Sequence, residues 1–169
     1  MASVERVGDL EVGQDLGFQR REWAVQRVAW VVAALIGVAA LLGVLGSSGP
    51  FAHGLAEEGG LRVDYLRFER RHAPTELRIE AAPASAQQGQ LLLWLDRSYV
   101  RSLEIDQIEP EPDQVEAAGE RVVFTFLVAD PNQPNEIAVP MQHDDWGVKT
   151  GRLGLVGGPE VAFRQVVYP

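Results

Sequence analysis

The chain has 169 residues, of which 46% are hydrophobic and 23% are charged, and its 15 Lys and Arg residues against 24 Asp and Glu residues give a formal net charge of −9. This acidic balance argues against nucleic acid as a partner, because phosphate binding depends on clustered cations. The absence of cysteine removes disulfides, thiol catalysis, thiolate zinc sites and iron–sulfur clusters.

The amino-terminal segment, residues 1–27, is predicted to be a short cytoplasmic tail. Its first 17 residues are acidic with little apolar periodicity, a composition typical of flexible chain. Residues 18–27 are compatible with a helix that continues into the next segment. We expect a tail of this size to be too small to fold or catalyse alone.

Residues 28–46 contain no ionisable side chain and almost no polar one. As a helix rising 1.5 Å per residue, the segment would reach about 28 Å, which is close to the hydrocarbon thickness of a bilayer. A buried helix of a soluble protein normally keeps a polar stripe, and this segment has none. The sequence therefore predicts one transmembrane helix at 28–46.

The charges that flank this segment predict its orientation. Four arginines precede it, and the first cation that follows it is Arg62. Because cytoplasmic flanks carry the excess of cations, we expect a cytoplasmic amino terminus and an exported carboxy-terminal domain. In a bacterium this is an inner-membrane protein whose domain is periplasmic or extracellular.

A cleaved signal peptide is the alternative interpretation, with Arg20-Arg21 as a possible twin-arginine signal. The apolar core is longer than the usual signal core, and Glu22-Trp23 follows the arginine pair. Ser47-Ser48-Gly49-Pro50 is also a poor cleavage site. These features favour an anchor that is retained.

Two sets of side chains in the predicted span could make contacts in the membrane. Trp23 and Trp30 are predicted membrane-interface residues, since amphipathic rings favour the headgroup level. Small residues let a second helix approach closely, but they are also common in membrane helices that have no partner, so both interpretations stay open. The predicted helix-packing residues are Ala33, Gly37, Ala40 and Gly43.

Residues 47–60 are predicted to be a linker, and residues 61–169 an all-β antiparallel sandwich of immunoglobulin-like size. Short runs rich in Val, Ile, Leu and aromatic residues alternate with Pro, Gly and Asn, as expected of strands and turns. A small barrel is the alternative. The predicted strands are 61–69, 75–81, 90–95, 101–108, 121–129, 136–139, 148–156 and 160–167, with a helical turn at 97–101 and a hairpin turn at Gly157-Gly158.

The exported part, residues 47–169, has 11 Lys and Arg residues against 19 Asp and Glu residues, a net charge of −8. From this value we expect its surface not to be attracted to anionic headgroups.

No residue pattern predicts catalysis, a cofactor or a bound metal. The best cluster of potential metal ligands is His143-Asp144-Asp145 with Met141, but a site needs three or four converging ligands. A solvated turn is therefore the default expectation for this cluster. The serines lack a nucleophile motif, and no glycine-rich phosphate loop precedes a helix, so we do not expect an enzyme.

The last predicted strand is a possible docking strand. It ends the chain, and terminal strands often lie at a sheet edge, where a partner strand can add. Folding back of Tyr168 as a core residue is the alternative. The predicted docking residues are Val161, Phe163, Val166, Val167 and Tyr168.

Several segments carry a resemblance. The sequence from Phe18 to Val28, the run Leu61 to Arg71 and the closing residues 157–169 resemble a family of uncharacterised small bacterial single-span membrane proteins with an exported β domain. The resemblance implies a bacterial inner-membrane protein and supplies no activity. The architecture is also similar to that of the copper-delivering assembly factors of cytochrome oxidase, whose copper-binding cysteine pair is absent here.

Three functional classes are compatible with this organisation. We expect an accessory or assembly subunit of a larger membrane complex, with the lipid bilayer and a polytopic membrane protein as partners, because a lone span and a catalytically bare β domain suit docking. A free-standing periplasmic ligand-binding or sensing module is the second class. A metal carrier is the third.

Overall fold

The structure is a computed structural model that describes residues 5–7, 10–12, 16–43, 49–130 and 132–169. The chain divides into two compact units, Met1–Ala39 and Ala40–Pro169.

The first unit contains two short strands, β1 (Glu5–Val7) and β2 (Leu10–Val12), and most of helix α1 (Leu16–Leu41). The two strands pair antiparallel. The expectation of an unstructured tail therefore differs from the structure here, because the segment's weak apolar periodicity gave no sign of these strands.

Helix α1 is long and apolar enough to cross a membrane. The stretch Arg21–Leu41 contains an 18-residue window whose mean hydropathy is 1.9, and none of that window is buried within the chain. An amino-terminal signal sequence would meet the same criteria. The helix covers 28–41 of the predicted span and ends at Leu41, residues 42–43 form a turn, and 44–46 lie outside the described residues.

The second unit is a sandwich-like β domain built from two sheets. One sheet has six strands in the order β5-β13-β12-β7-β10-β9, and the other has five in the order β3-β4-β6-β11-β8. A short helix, α2 (Arg97–Val100), follows β7 and confirms the predicted helical turn. The strands are β3 (His53–Glu58), β4 (Leu61–Leu66), β5 (Phe68–Arg70), β6 (Thr75–Ala81), β7 (Gln90–Asp96), β8 (Leu103–Ile105), β9 (Gln114–Ala118), β10 (Arg121–Leu127), β11 (Asn135–His143), β12 (Gly147–Leu155) and β13 (Glu160–Tyr168).

The core of this unit is formed by the inward faces of both sheets. In β6, Leu77 and Ile79 are buried, whereas Arg78 and Glu80 between them are exposed. This alternation follows from the two-residue period of a strand with one wet face. Buried residues from both sheets, among them Leu61 and Leu93, belong to one hydrophobic cluster.

Part of the predicted linker belongs to the fold. Residues 53–58 form β3, which pairs antiparallel with β4. Gly59 and Gly60 both have positive φ angles, 55° and 83°, as a two-residue hairpin of the primed type requires. The glycines that suggested a linker are therefore a hairpin turn.

The predicted single strand at 61–69 is divided between the two sheets. β4 lies in the five-stranded sheet, and β5 lies at the edge of the six-stranded sheet. Arg67 separates them, and its backbone N–H donates to the carbonyl of Ala52 at 2.7 Å. β5 pairs with β13 in parallel, so the expectation of a wholly antiparallel sandwich is wrong at this edge.

Other strand predictions hold with shifted ends. β6 matches its predicted range, and β12 and β13 form the predicted hairpin. The predicted strand 101–108 shortens to β8. β9 was not predicted because its five residues are all exposed, so it shows no apolar alternation.

Candidate functional site

Four polar side chains lie buried inside the β domain and form what we call the buried polar cluster: Glu69, Tyr99, His143 and Gln165. Glu69 is 4% exposed, Tyr99 is 3% exposed, and the other two are fully buried. They come from β5, α2, β11 and β13 respectively. The cluster therefore joins both sheets and the short helix.

Gln165 occupies the centre of the hydrogen-bond network. Its Oε1 accepts a hydrogen bond from the Tyr99 hydroxyl at 2.5 Å. Its Nε2 donates to the carbonyl of Leu66 at 3.0 Å and to Oε1 of Glu69. The hydroxyl of Thr75 donates to the same carboxylate oxygen at 3.3 Å. Both the oxygen and the nitrogen of this buried amide are therefore hydrogen-bonded, and these bonds hold β13 to α2, β4 and β5.

Glu69 and His143 form a buried ionisable pair. His143 Nε2 lies 3.1 Å from Glu69 Oε2, which is ion-pair distance, but the two atoms do not form a hydrogen bond. Within the described part of the chain, Glu69 Oε2 and both His143 ring nitrogens have no hydrogen-bond partner. When the pair holds one proton its net charge is zero, whichever residue carries it, which makes its burial possible.

Tyr99 is the fourth member of the buried polar cluster, and its hydroxyl and ring both contact other buried residues. Burial, and secondarily the negative charge of Glu69, raises the pKa of the Tyr99 phenol well above its usual value. The ring meets His143 and Phe163 edge-on at centroid distances of 5.9 and 5.2 Å. Its hydroxyl also lies 3.7 Å from the sulfur of Met141. This tyrosine is therefore a neutral hydrogen-bond donor at neutral pH.

The buried polar cluster does not present a reacting atom to a substrate. Each of its four side chains is at most 4% exposed, and catalysis requires a group within hydrogen-bond reach of the bound substrate. The arrangement instead fixes β5 against β11 and β13. Because Glu69 points inward, the neighbouring residues of β5 point outward.

The outward residues beside this cluster form a surface that we call the Arg–Trp surface, defined by Arg67, Arg70, Arg71, Trp146, Val148 and Val166. All six residues are exposed, Trp146 by 66%. Arg70, Arg71 and Trp146 line a cavity of about 660 Å³. Phe68, Val166 and Val148 are in register across β5, β13 and β12. Cationic and apolar groups therefore alternate on one exposed end of the six-stranded sheet.

The predicted helix-packing residues divide into two groups. Ala33, Gly37 and Ala40 lie on α1 and are exposed, and a Cβ at Gly37 would meet no atom within 4 Å apart from its chain neighbours and the backbone of its own helix. Gly43 lies beyond the helix end, with a positive φ of 83°. A Cβ atom added at Gly49 would lie 2.6 Å from the backbone N of Gly43. The placement of Gly43 on the helix face is therefore wrong.

The predicted interface tryptophans, Trp23 and Trp30, both lie on α1 and are 63% and 70% exposed. The guanidinium of Arg27 lies 5.0 Å from the ring centroid of Trp23. No contact in the structure tests their position in a membrane.

The structure places the predicted docking strand inside a sheet. β13 lies between β12 and β5, and β5 pairs with residues 166–168, so the expectation that the chain ends on a sheet edge is wrong. Val161, Phe163 and Val167 are buried, Tyr168 is half-buried, and Val166 is 36% exposed. Docking through this strand stays a prediction, with Val166 as its accessible residue.

The proposed ligand cluster around His143 separates in the structure. His143 is fully buried and Met141 is 1% exposed, whereas Asp144 and Asp145 are exposed. The solvated turn expected here is correct for the aspartates and wrong for the histidine. Among the residues that the structure describes, no group of three or more His, Cys, Asp or Glu residues converges as a metal site would require.

Sequence reasoning missed Glu69, Tyr99 and Gln165 as a group. For Gln165 a signal was available, because it continues the two-residue spacing of Val161, Phe163 and Val167 on the buried face. Glu69 gave none, since it stands between arginines and reads as a surface residue.

Comparisons with known protein families and with curated proteins find no match for this chain.

Proposed function

We propose that this protein is a single-span accessory or assembly subunit of a larger membrane protein complex, with an exported, non-catalytic β domain. The observation that carries the proposal is that the apolar surface of α1 is not buried against the rest of the described chain. The candidate span Arg21–Leu41 is 21 residues long, and none of its most apolar 18-residue window is buried within the chain. A surface of this kind requires lipid or another helix, because exposure of so much apolar area to water is unfavourable.

The small-residue face of α1 supports contact with a second helix. Ala33, Gly37 and Ala40 lie at positions i, i+4 and i+7, and the space next to Gly37 is open. Membrane helices associate through such faces because close backbone approach increases their van der Waals contact. The proposed partner is a polytopic membrane protein.

The β domain supports a role in docking rather than in turnover. Its ionisable pair is sealed between the sheets, while its outer surface carries exposed apolar residues such as Trp146 and Val148. Exposed apolar groups that lie together indicate a contact surface.

The test is purification of the full chain from membranes of its source cells in mild detergent. We expect a stoichiometric polytopic companion with the native chain. Gly37→Ile should abolish its recovery by filling the helix contact. Val38→Leu is the matched control, since Val38 is 51% exposed and lies on another face of the helix, and it should retain the companion.

Two results would contradict the proposal. Recovery of the native chain without a stoichiometric companion would favour a free-standing sensing or binding module. Equal recovery of the companion with Gly37→Ile and Val38→Leu would remove the helix face from the docking mechanism. Resistance of the chain to alkaline extraction of the membranes tests the anchor separately.

A further inference from the structure

We propose that the Arg–Trp surface of the β domain rests on the anionic lipid headgroups of the bilayer into which α1 inserts. This inference rests on the proposed membrane anchor and names a second partner for the domain. The net charge of the domain led us to expect no attraction to anionic headgroups. The proposal departs from that expectation, because a lipid surface interacts with the charges of the patch that touches it.

Main-chain hydrogen bonds run from Leu42, the residue that follows α1, to this surface. The backbone N–H of Phe51 donates to the carbonyl of Leu42 at 3.2 Å, and the carbonyl of Ala52 accepts from the N–H of Arg67 at 2.7 Å. The carbonyl of Arg67 then accepts from Val166 at 2.8 Å. These bonds lie within the second unit and connect Arg67 and Val166 to the residue that directly follows α1.

The local charge of this surface is positive although the domain is acidic. Arg67, Arg70 and Arg71 fall within five residues of sequence, and the acid among them, Glu69, points inward and faces His143. No carboxylate in the described ranges lies within 4.0 Å of the three guanidinium groups. Exposed and unpaired guanidinium groups bind lipid phosphates well.

Two exposed carboxylates reduce this charge in part. Asp144 and Asp145 directly precede Trp146, so they lie near one side of the surface. Counted over side chains, three guanidinium groups stand against these two carboxylates, whereas the domain as a whole has a charge of −8.

The apolar part of the surface has the composition of a membrane interface. Trp146 is 66% exposed, and Phe51, which lies outside the defined surface and bonds to Leu42, is 50% exposed. Aromatic rings of this kind favour the headgroup level. Val148 and Val166 of this surface are directly paired across β12 and β13, and both are exposed. The mixture of arginine and aromatic side chains fits an anionic lipid surface.

The absence of native cysteine makes single-cysteine labelling a direct test. Val148→Cys reports on the surface, and Val115→Cys is its matched control, because both valines are 54% exposed and Val115 lies in β9, at the opposite edge of the same sheet. The full chain would be placed in nanodiscs of phosphatidylcholine, with or without phosphatidylglycerol, and labelled with a membrane-impermeant maleimide.

We expect phosphatidylglycerol to slow labelling of the Val148→Cys variant by about tenfold and to leave the Val115→Cys variant unchanged. Adding Arg70→Glu and Arg71→Glu should restore fast labelling. The control pair Arg62→Glu and Arg101→Glu, which replaces two exposed arginines outside the surface, should not.

Three outcomes would overturn the inference. Equal labelling of the Val148→Cys variant in both lipid compositions would exclude recognition of anionic lipid. Protection in native membranes but not in pure lipid would assign the surface to a protein partner. Failure of the chain to enter nanodiscs at all would refute the anchor itself, which distinguishes that result from failure of the lipid contact alone.

Discussion

The imidazole Nε2 of His143 lies 3.1 Å from the carboxylate Oε2 of Glu69, and both side chains are sealed between the sheets of the β domain. Glu69 belongs to the three-residue edge strand β5, and His143 ends β11 of the opposite sheet. This pair therefore contributes to holding β5 in place, and with it the arginines that flank Glu69.

Replacement of either member of this pair should destabilise the β domain strongly. We expect Glu69→Leu and His143→Leu each to lower the free energy of unfolding by about 3–5 kcal/mol, because each leaves a buried polar partner unpaired. The double variant should lower the free energy of unfolding by less than the sum of the two single losses. Urea unfolding of the full chain in detergent micelles, followed by near-ultraviolet circular dichroism, measures all three.

Glu76→Gln is the control for this cycle, since Glu76 forms an ion pair with Arg78 that is exposed to solvent, and surface pairs contribute about 1 kcal/mol or less. Additivity of the two leucine substitutions within about 0.5 kcal/mol would show that Glu69 and His143 act independently.

The sequence predicted the strands whose inward residues alternate with charged ones. β6 is the clearest case, because Leu77 and Ile79 alternate with Glu76, Arg78 and Glu80. The predicted hairpin turn at Gly157-Gly158 is also present between β12 and β13. In both cases the pattern lies within a few consecutive residues, so a single sequence is enough to show it.

The features that sequence reasoning missed depend on contacts between distant residues. Glu69 meets Gln165 and His143 across 96 and 74 positions of sequence, and no local pattern encodes such a meeting. Gly59-Gly60 suggested a linker because glycine pairs occur in flexible chain and in tight hairpins alike. Only the pairing of β3 with β4 distinguishes the two.

Removal of the Tyr99 hydroxyl should test the centre of the cluster. We expect Tyr99→Phe to lower the free energy of unfolding by about 1–3 kcal/mol at neutral pH, because Oε1 of Gln165 loses its donor in a buried site. Ser102→Ala is the comparison, since it removes a hydroxyl that donates to the backbone of α2 in a partly buried position. An equal loss in both variants would argue against a special role for Tyr99.

The raised pKa of Tyr99 also predicts how stability depends on pH. The folded state retains the phenolic proton above the pH at which a free tyrosine, with a pKa of about 10, loses it. The stabilisation is therefore complete below about pH 10 and is lost as the pH rises from there toward the folded pKa. Unfolding curves from pH 8 upward should show a steeper loss for the native chain than for Tyr99→Phe, and parallel losses would contradict the assignment.

Gly151 should not tolerate even a methyl group. A Cβ at this position would lie 2.4 Å from Cζ of Phe163, whose ring is buried in the core. We expect Gly151→Ala to lower the free energy of unfolding by about 1–3 kcal/mol through this overlap. Thr150→Ala, at the neighbouring exposed position of β12, should change it by less than about 0.5 kcal/mol. A neutral Gly151→Ala would show that the ring can move aside.

The arginines of the chain predict its orientation in the membrane. Arg6, Arg20, Arg21 and Arg27 precede the apolar segment, and Arg62 is the next cation. Because cationic flanks are retained in the cytoplasm, we expect the β domain to be exported. Single-cysteine variants of the cysteine-free chain, expressed in bacterial cells, make each side of the membrane visible to an impermeant maleimide.

Leu127→Cys reports on the β domain, where Leu127 is 64% exposed, and Glu11→Cys reports on the tail. In intact spheroplasts we expect labelling of Leu127→Cys only, and after permeabilisation labelling of both, each at the mass of the full chain. The reverse pattern would refute the orientation. A third outcome would show instead that α1 is a cleaved signal sequence. In that case the Glu11→Cys label would be lost, and the labelled Leu127→Cys product would be shorter by its amino-terminal segment.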